Sequence, residues 1–373
     1  MKDNVVGLGV AGCGAVGIRS AFEHFKFGEF DQQVRIVACC DPVPGRAKAA
    51  AEKYNVNACY ESFEELLADS NVDAVTICSP IGLHYEQGMA ALRAGKHIHF
   101  NKTMTTQVWQ ADDIINLAAE KGLKVVASPG QMLYPQAQRT RRIILEEKLG
   151  RLGYVYAKHS FSSGIYHLNE QCRTGDDPLT NINPTWYFKN PGGGPHYDVT
   201  VYYLHQLVGV LGPAKKVVAI SGQQIKEIEF KGERIVSEVD DTSTMLIDFG
   251  NSIFATIQAV SVPLPFVCLT PDYFGTEGSI VAEAFNGKPL IYEGEHLPHV
   301  TGIHDTMAEK HVFEDIMQLV DLIRLGKPTI VTPEIARHVI EIIEASYKSA
   351  EEEKAIHLKT TFEPMALEEL LEL

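Results

Sequence analysis

The chain has 373 residues, of which 45% are hydrophobic and 22% charged, which is typical of a globular protein large enough for two domains. Its formal net charge of −15 disfavours nucleic acid and anionic membrane surfaces as partners. The sequence has no run of 18 apolar residues and no basic signal-peptide start, so we expect a cytoplasmic protein that does not enter a membrane. The seven cysteines lack zinc-like spacing, which predicts a reducing compartment, no disulfide framework and no metal site.

The first predicted strand runs directly into Gly12, Gly14 and Gly17, which have the spacing G-x-G-x-x-G and are followed by a helix-like stretch. The first glycine would permit a tight turn, the second a close approach of phosphate, and the third close packing of the helix. A register starting at Gly7 leaves no room for a preceding strand, and a turn that binds nothing is the competing interpretation. The pattern predicts a dinucleotide-binding turn formed by Gly12, Cys13, Gly14, Ala15, Val16 and Gly17.

Asp41 ends the second predicted strand, VRIVACCD, where a carboxylate can hydrogen-bond the adenosine ribose. It lies further along the chain than usual because the insert KFGEFDQQ precedes that strand. A carboxylate at this place would repel a 2′-phosphate, which favours NAD. Arg46 lies nearby and keeps NADP an alternative.

Strand-like and helix-like segments alternate up to about residue 130. Five further strands are predicted, in the segments VRIVACCD, NACY, DAVTICSP, HIHFNK and KVVASPG. Alternation of this kind gives a parallel sheet with helices on both faces. We therefore expect an α/β protein whose residues 1–130 form a doubly wound Rossmann domain.

Lys102 follows the fifth predicted strand, in the segment IHFNKT. Ligands bind at the carboxyl ends of strands in open α/β sheets. A lysine near a bound nicotinamide can hydrogen-bond a substrate hydroxyl and help to move its proton. The alternative is a surface lysine at a strand end.

The pattern changes after residue 130, and residues 131–373 are predicted to form an α+β domain with a large, mostly antiparallel open sheet. We expect the outer face of this sheet to be covered by a second subunit in a homo-oligomer. Residues 162–195 have no periodicity, and we expect them to line or cover the substrate site. The acidic C-terminal segment EPMALEELLEL is predicted to be a helix.

Asp198, Tyr202 and His205 stand at i, i+4 and i+7 of a helix predicted after the segment GGGPHYD, so they share one face. An acid, a phenol and an imidazole can together orient a hydroxyl and shuttle its proton. The alternative is a buried polar cluster that fixes the helix to the sheet, an interpretation we favour for His205. Trp186 could stack on a sugar face, with packing as its competing role.

With these residues placed, the chain resembles the Gfo/Idh/MocA family over almost its whole length. The resemblance includes the glycine motif, the helix RAKAAAEKY, the segment GRLGYVYAK and the C-terminal helices. The family's T-P-x-x-x-H segment is matched by Ser79, Pro80 and His84.

Two family motifs are matched in part. A Glu-Lys-Pro triplet with a catalytic Lys is matched at Lys102, while Asn101 replaces the Glu and Thr103 replaces the Pro. The family's Asp-x-x-x-His motif is matched at Asp198, and Tyr202 stands at the position of the acid/base His. Some members, including glucose–fructose oxidoreductases, have a Tyr there.

The resemblance implies a dehydrogenase that uses NAD, or NADP, to oxidise or reduce a secondary alcohol of a sugar, polyol or glycoside, as a homodimer or homotetramer. The implied catalytic residues are Lys102, Asp198 and Tyr202, and the implied substrate residues are these three with Trp186 and His205. The expected cofactor residues outside the glycine turn are Asp41, Arg46, Ser79, Pro80, His84, Asn101, Lys102 and Gln131. Two alternatives stay open: a retained NAD that is recycled between two sugars or used in redox-assisted glycoside cleavage, and a non-catalytic, NAD(P)-sensing regulatory protein.

Overall fold

The computed structural model describes residues 4–160, 165–260 and 270–373. Cys268 and the first residues of the predicted loop, 162–164, lie outside this part of the chain. The chain divides into two compact units. Unit 1 comprises Met1–Gly130, His167–Pro184 and Leu297–Pro333, and unit 2 comprises Gln131–Tyr166, Thr185–His296 and Glu334–Leu373. The sequence-based division assigned His167–Pro184 and Leu297–Pro333 to the second domain.

The strands and helices are as follows in chain order. The strands are β1 (Val6–Ala11), β2 (Val34–Cys40), β3 (Ala58–Tyr60), β4 (Ala74–Ile77), β5 (His97–Phe100), β6 (Val125–Ala127), β7 (Leu152–Ser160), β8 (Lys216–Gly222), β9 (Glu227–Phe230), β10 (Glu233–Val236), β11 (Thr242–Asp248), β12 (Phe254–Val260), β13 (Asp272–Gly275), β14 (Ser279–Val281), β15 (Ala284–Phe285), β16 (Lys288–Pro289) and β17 (Ile356–His357). The α-helices are α1 (Ala15–Gly17), α2 (Glu23–Phe25), α3 (Arg46–Tyr54), α4 (Phe63–Ala68), α5 (His84–Arg93), α6 (Val108–Lys121), α7 (Pro135–Leu145), α8 (Ile165–Leu168), α9 (Gln171–Thr174), α10 (Val201–Leu211), α11 (Lys310–Leu325) and α12 (Pro333–Glu352).

Unit 1 is built on a six-stranded parallel sheet with the order β3-β2-β1-β4-β5-β6. Every residue of the central strand β1 is buried, because helices cover both faces of a sheet of this kind. The predicted Rossmann sheet is therefore confirmed. The late helix α11 also belongs to this unit and contacts β1, β5 and β6. Its residues Phe313 and Ile316 are fully buried.

Unit 2 is built on a nine-stranded sheet with the order β16-β15-β14-β13-β7-β12-β11-β8-β17. The pairing of β7 with β12 is parallel, and the other pairings in this sheet are antiparallel. Strand β8 illustrates the alternation between the two faces of the sheet. Val217 and Ala219 are buried on one face, while Val218 and Ile220 lie on the exposed face. The predicted large, mostly antiparallel open sheet is confirmed.

The C-terminal segment differs from its prediction. A helix was expected in EPMALEELLEL, but the structure has a single 3-10 turn at Leu367–Glu369. Arginines of α7 bind carbonyl oxygens of this segment instead: Arg141 Nε donates to Met365 O at 2.8 Å and Arg142 Nη1 to Leu370 O at 3.1 Å. These bonds take up carbonyl groups that a helix would have used for its own ladder. The helical prediction is wrong because the segment is held by side chains distant in sequence.

Candidate functional site

The glycine turn after β1 has the geometry that its sequence predicts. Gly12 has a φ of +96°, and a methyl group on it would lie 3.0 Å from main-chain atoms of Cys78 and Ser79. A methyl group on Gly17 would lie 2.1 Å from the Gly12 carbonyl oxygen. A larger residue at Gly17 would force the chain to move, because real contacts are not this short, and at Gly12 it would be strained by the positive φ. Gly14 lies at the helix start, and among the residues that the structure describes such a methyl group would meet only Ile182 Cγ2 within 4 Å, at 3.7 Å.

The glycine turn is joined to the end of β2 by the Asp41 carboxylate. Asp41 is 4% exposed; Cys13 N–H donates to its Oδ2 atom at 3.0 Å, and Val43 N–H donates to Oδ1 at 2.9 Å. The carboxylate is therefore fixed beside a turn with an open cradle at the helix N-terminus. These features fit a dinucleotide, whose pyrophosphate binds main-chain N–H groups and whose adenosine ribose binds an acid.

Arg46 is already bonded within unit 1. Its Nε donates to Pro178 O at 2.8 Å and its Nη2 to Asn181 O at 2.9 Å, while Nη1 lies 3.4 Å from Asp41 Oδ1. A 2′-phosphate would have to compete with these three partners. The geometry therefore fits NAD better than NADP.

His84 lies beneath the ends of β4 and β5 and links the loops that follow them. Its ring nitrogens lie 2.9 Å from Thr103 O and 3.0 Å from Ser79 O. Burial lowers the pKa of His84 to about 4, so the ring is neutral near pH 7 and its one N–H donates to one of the two carbonyls. His84 itself is fully buried, and its structural effect is on the loops that carry Ser79 and Lys102.

Asn101 and Lys102 follow β5 directly. Asn101 is 6% exposed, and its Oδ1 atom has no hydrogen-bond partner among the described residues. A buried acceptor of this kind can take an N–H from a ligand, such as the carboxamide of a nicotinamide. Lys102 is half-buried, and the peptide bond between it and Thr103 is cis.

A buried polar chain that we did not predict crosses the sheet below these residues. Thr76 Oγ1 lies 2.8 Å from His99 Nδ1, and His99 Nε2 lies 2.9 Å from Ser128 Oγ. Ser128 Oγ donates to Asp315 Oδ2 at 2.5 Å, and Gly130 N–H donates to the same oxygen at 3.1 Å. Burial raises the pKa of Asp315 to about 7 and lowers that of His99 to about 3. The sequence signal that could have indicated this chain is Asp315, an acidic residue on the apolar face of α11.

In unit 2, Asp198 and Tyr202 lie on two consecutive helical pieces. Asp198 belongs to a π-helical segment, His196–Thr200, and Tyr202 to α10. A widened turn of this kind often occurs at functional sites, and it changes the simple i, i+4 spacing that we predicted. Asp198 is 3% exposed. Tyr202 lines a pocket of about 240 Å³ together with Gln131, Val199, Tyr203 and Gln206.

The structure also places three further residues of the predicted site, and for His205 it has the buried position that we favoured. Gln131, predicted to bind the cofactor, lines the pocket with Tyr202 in unit 2. Burial lowers the pKa of His205 to about 3, and with 5% exposure it is a neutral residue of the core. Trp186 is half-buried and stacks on Tyr187, with 3.8 Å between the ring centroids.

The glycine run before Asp198 serves a close approach within the chain. A methyl group on Gly193 would lie 2.4 Å from Lys189 O and 2.7 Å from Tyr187 O. The run therefore packs against the 3-10 turn at Thr185–Phe188.

A second buried polar chain, also missed from the sequence, adjoins the pocket residues. His159 Nε2 lies 2.9 Å from Thr200 Oγ1, which lies 3.3 Å from His196 Nδ1. The His159 ring stacks on Tyr203 at a centroid distance of 5.1 Å. Burial lowers the pKa of His159 to about 4, although the negative charge of Asp198 acts in the other direction and raises it.

Residues 4–160, 165–260 and 270–373 contain no group of three or more His, Cys, Asp or Glu side chains that could hold a metal ion. In the same ranges no helix combines the length and the apolar character needed to span a bilayer.

The chain matches two models of one protein family. Residues 5–128 match the Gfo/Idh/MocA oxidoreductase family model, described as an NAD-binding Rossmann fold, and residues 137–281 match the model of the Gfo/Idh/MocA C-terminal domain.

Similar proteins cover most of the chain at low identity. D-glucoside 3-dehydrogenase of Escherichia coli (strain K12) is 24% identical over 366 residues, covering 94% of this chain and 97% of that protein. Trans-1,2-dihydrobenzene-1,2-diol dehydrogenase of Macaca fuscata fuscata is 24% identical over 269 residues, 71% of each chain. The WlbA dehydrogenase from Bordetella pertussis, solved with NADH and UDP-GlcNAcA, has a TM-score of 0.71 at 17% identity, covering 95% of this chain and 99% of that one.

Proposed function

Because this chain belongs to the Gfo/Idh/MocA family of NAD-binding oxidoreductases, we propose that it is a dehydrogenase acting on a secondary alcohol of a sugar, polyol or glycoside. The observation that carries the proposal is the polar pocket of unit 2, where Tyr202 lies among Gln131, Tyr203 and Gln206. Amide and phenol groups of this kind bind hydroxyl groups, and aromatic rings offer faces to a sugar. The name of the E. coli relative, a D-glucoside 3-dehydrogenase, supports the same substrate class.

The proposed chemistry assigns one task to each of three residues. Bound NAD would supply the hydride acceptor, C4 of its nicotinamide. Lys102 hydrogen-bonds the substrate hydroxyl and helps to move its proton, and Tyr202 is the partner group that accepts or returns this proton. Asp198, nearly buried, holds the substrate hydroxyl in place. In the oxidation, the carbinol carbon loses a hydride and the oxygen a proton, leaving a ketone.

The experiment incubates purified protein with a panel of sugars, polyols and glycosides, with and without added NAD. We expect at least one secondary alcohol to be oxidised with formation of NADH, and the product to be a ketone by mass spectrometry. A protein that binds NADH but turns over no member of the panel in either direction would contradict the proposal and favour an NAD(P)-sensing role. Turnover without added NAD would instead indicate a retained cofactor that is recycled between two sugars or used in glycoside cleavage.

A further inference from the structure

Residues 167–184, which we call the strap, return to unit 1 from between two parts of unit 2. The strap has its own hydrogen bonds: Ile182 N–H donates to Cys172 O at 3.1 Å, and Gly175 N–H donates to Thr180 O at 2.9 Å. It therefore folds back on itself as a defined loop. No role at the cofactor was predicted for it, since we expected residues 162–195 to serve the substrate.

One end of the strap is tied to the end of β2 through Arg46. The guanidinium donates to Pro178 O and Asn181 O, at 2.8 and 2.9 Å, and it also reaches the Asp41 carboxylate. Arg46 is 8% exposed, so this contact is largely shielded from water. The carboxylate expected to hold the adenosine ribose thus lies directly behind the strap.

The other end is tied to the helix that follows the glycine turn. Arg19 Nη1 lies 3.1 Å from Glu170 Oε1, and Arg173 Nη2 lies 3.0 Å from Glu170 Oε2. Burial opposes ionisation of Glu170, but hydrogen bonds from His167, Arg173 and Arg19 hold its pKa at about 2. The tether is therefore ionised and intact throughout the neutral range.

Directly after the Arg46 tether, the strap contacts the glycine turn through Ile182. Ile182 is 7% exposed, and its Cγ2 atom is the one that a methyl group on Gly14 would meet. The strap therefore contacts the pyrophosphate cradle, the following helix and, through Arg46, the ribose-binding acid. These three elements surround the adenosine half of a dinucleotide in this fold.

We infer that the strap is the outer wall of the cofactor site, which encloses the adenosine and pyrophosphate of NAD and must open before the cofactor leaves. The residues assigned to this wall are Glu170, Arg173 and Ile182, with Arg19 and Arg46 as its anchors. Release of NAD then requires the loss of the charge-assisted bonds of Glu170 and Arg46, whose strength exceeds that of neutral hydrogen bonds. Since the strap acts on NAD alone, the inference rests on the proposed function only through NAD binding and can be tested without a sugar.

The test measures dissociation of NADH from the full-length protein by stopped-flow fluorescence, with excess NAD as the displacing ligand. Glu170→Gln replaces the charge-assisted bond of the Arg19 tether by, at most, a neutral one, while Arg19 keeps its second partner, Glu309, at 3.3 Å. We expect the dissociation rate to rise about tenfold, the effect of losing one charge-assisted hydrogen bond. Glu146→Gln is the matched control, because Glu146 pairs with Arg142 in unit 2 and its side chain is 22% exposed against 21% for Glu170. This control should release NADH at the wild-type rate.

Ile182→Ala is a second variant that removes the contact over Gly14 without touching a charge, and a thermal melt establishes that each variant is folded. Wild-type dissociation rates in both folded strap variants would overturn the inference. Faster association with unchanged dissociation would also overturn it, since the strap would then shield only the empty site. If the wild-type protein binds no NADH, the proposed function fails; if it binds NADH and the strap variants match it, the strap inference alone fails.

Discussion

Lys102 is the residue on which the proposed proton transfer depends most directly. We predict that Lys102→Ala lowers kcat by a factor of about 10² to 10⁴, the usual contribution of a positioned acid/base group. NAD binding should persist, because the glycine turn and Asp41 lie at other strand ends of unit 1. The measurement compares kcat on a confirmed substrate with the Kd for NADH. Lys124→Ala, at an exposed lysine before β6, is the control and should retain activity.

Tyr202→Phe should cost less than Lys102→Ala if water can take the place of the phenol. A near wild-type kcat for Lys102→Ala would make the mechanism wrong. If His205→Ala were more damaging than Tyr202→Phe while the protein stayed folded, the proton acceptor would have been assigned one helical turn too early. The burial of His205 leads us to expect a loss of stability in that variant instead.

Asp41 is predicted to make the protein prefer NAD over NADP. Its carboxylate is fixed by two main-chain N–H groups, and the adjacent Arg46 is bonded to the strap. A 2′-phosphate would therefore meet a negative charge with no free cation from Arg46 to offset it. The ratio of kcat/KM for the two cofactors in the wild-type protein tests this, and a preference for NADP would contradict it.

Residues in local motifs could be predicted from the sequence, whereas residues that act through distant partners could not. Gly12, Gly17 and Asp41 follow strands closely enough that their surroundings are set by neighbours in the chain. Asp315 reaches Ser128 across 187 positions, and no local pattern marks that pairing. His159 was missed for the same reason, since its partner Thr200 lies on another element.

At the scale of elements, two buried neutral histidines lie in neighbouring elements of unit 1: His99 in β5 and His84 at the start of α5. Burial holds the pKa of His84 at about 4 and that of His99 at about 3, against about 6.5 in an unfolded chain. Below pH 6.5 the unfolded state therefore takes up protons that the folded state does not. Stability is fully present above pH 6.5 and falls as the pH drops towards 4, by about 1.4 kcal/mol per pH unit for each histidine.

Urea unfolding at several pH values, from about 7.5 to about 4.5, tests the prediction, because the two histidines change the free energy of unfolding within this range. The free energy of unfolding of the wild-type protein should decrease steadily below pH 6.5. In His99→Asn the free energy of unfolding should change less steeply with pH, and the difference should be about the contribution of one histidine. Equal slopes in the two proteins would show that His99 is protonated in the folded state.

Element types were predicted well where a hydrophobic period was present, and poorly where side chains of other elements decided the structure. The strands and helices of the Rossmann sheet follow from their alternation. Residues 162–195 have no period, and within the described part of this segment the structure has only short helical turns. The strap is fixed by Arg19 and Arg46, which precede it by more than a hundred positions.

At the scale of the whole molecule, the outer face of the nine-stranded sheet bears an exposed apolar surface. Tyr154 pairs with Phe254 on one side and Phe274 on the other, which forms a row of aromatic side chains across three strands. Ile220 is 79% exposed on the same sheet. Surfaces of this kind are usually covered by a partner, and we predict a homodimer or homotetramer formed through this face.

Light scattering at micromolar concentration tests the oligomer. Ile220→Lys combined with Leu246→Lys should shift the mass towards the monomer while thermal unfolding stays cooperative. Ile303→Lys, at an exposed apolar residue of unit 1, is the control and should leave the mass unchanged. A wild-type monomer would contradict the prediction.

The division of each unit into separate stretches of chain has a consequence for biosynthesis. A ribosome that has released only residues 1–130 has made all six strands of the first sheet but not α11, which contacts β1, β5 and β6. The nascent sheet must therefore wait, with apolar surface exposed, until nearly two hundred further residues have emerged. Completion of the nucleotide-binding half therefore comes long after its six strands have been made, and it depends on a helix that the ribosome reaches nearly two hundred residues later.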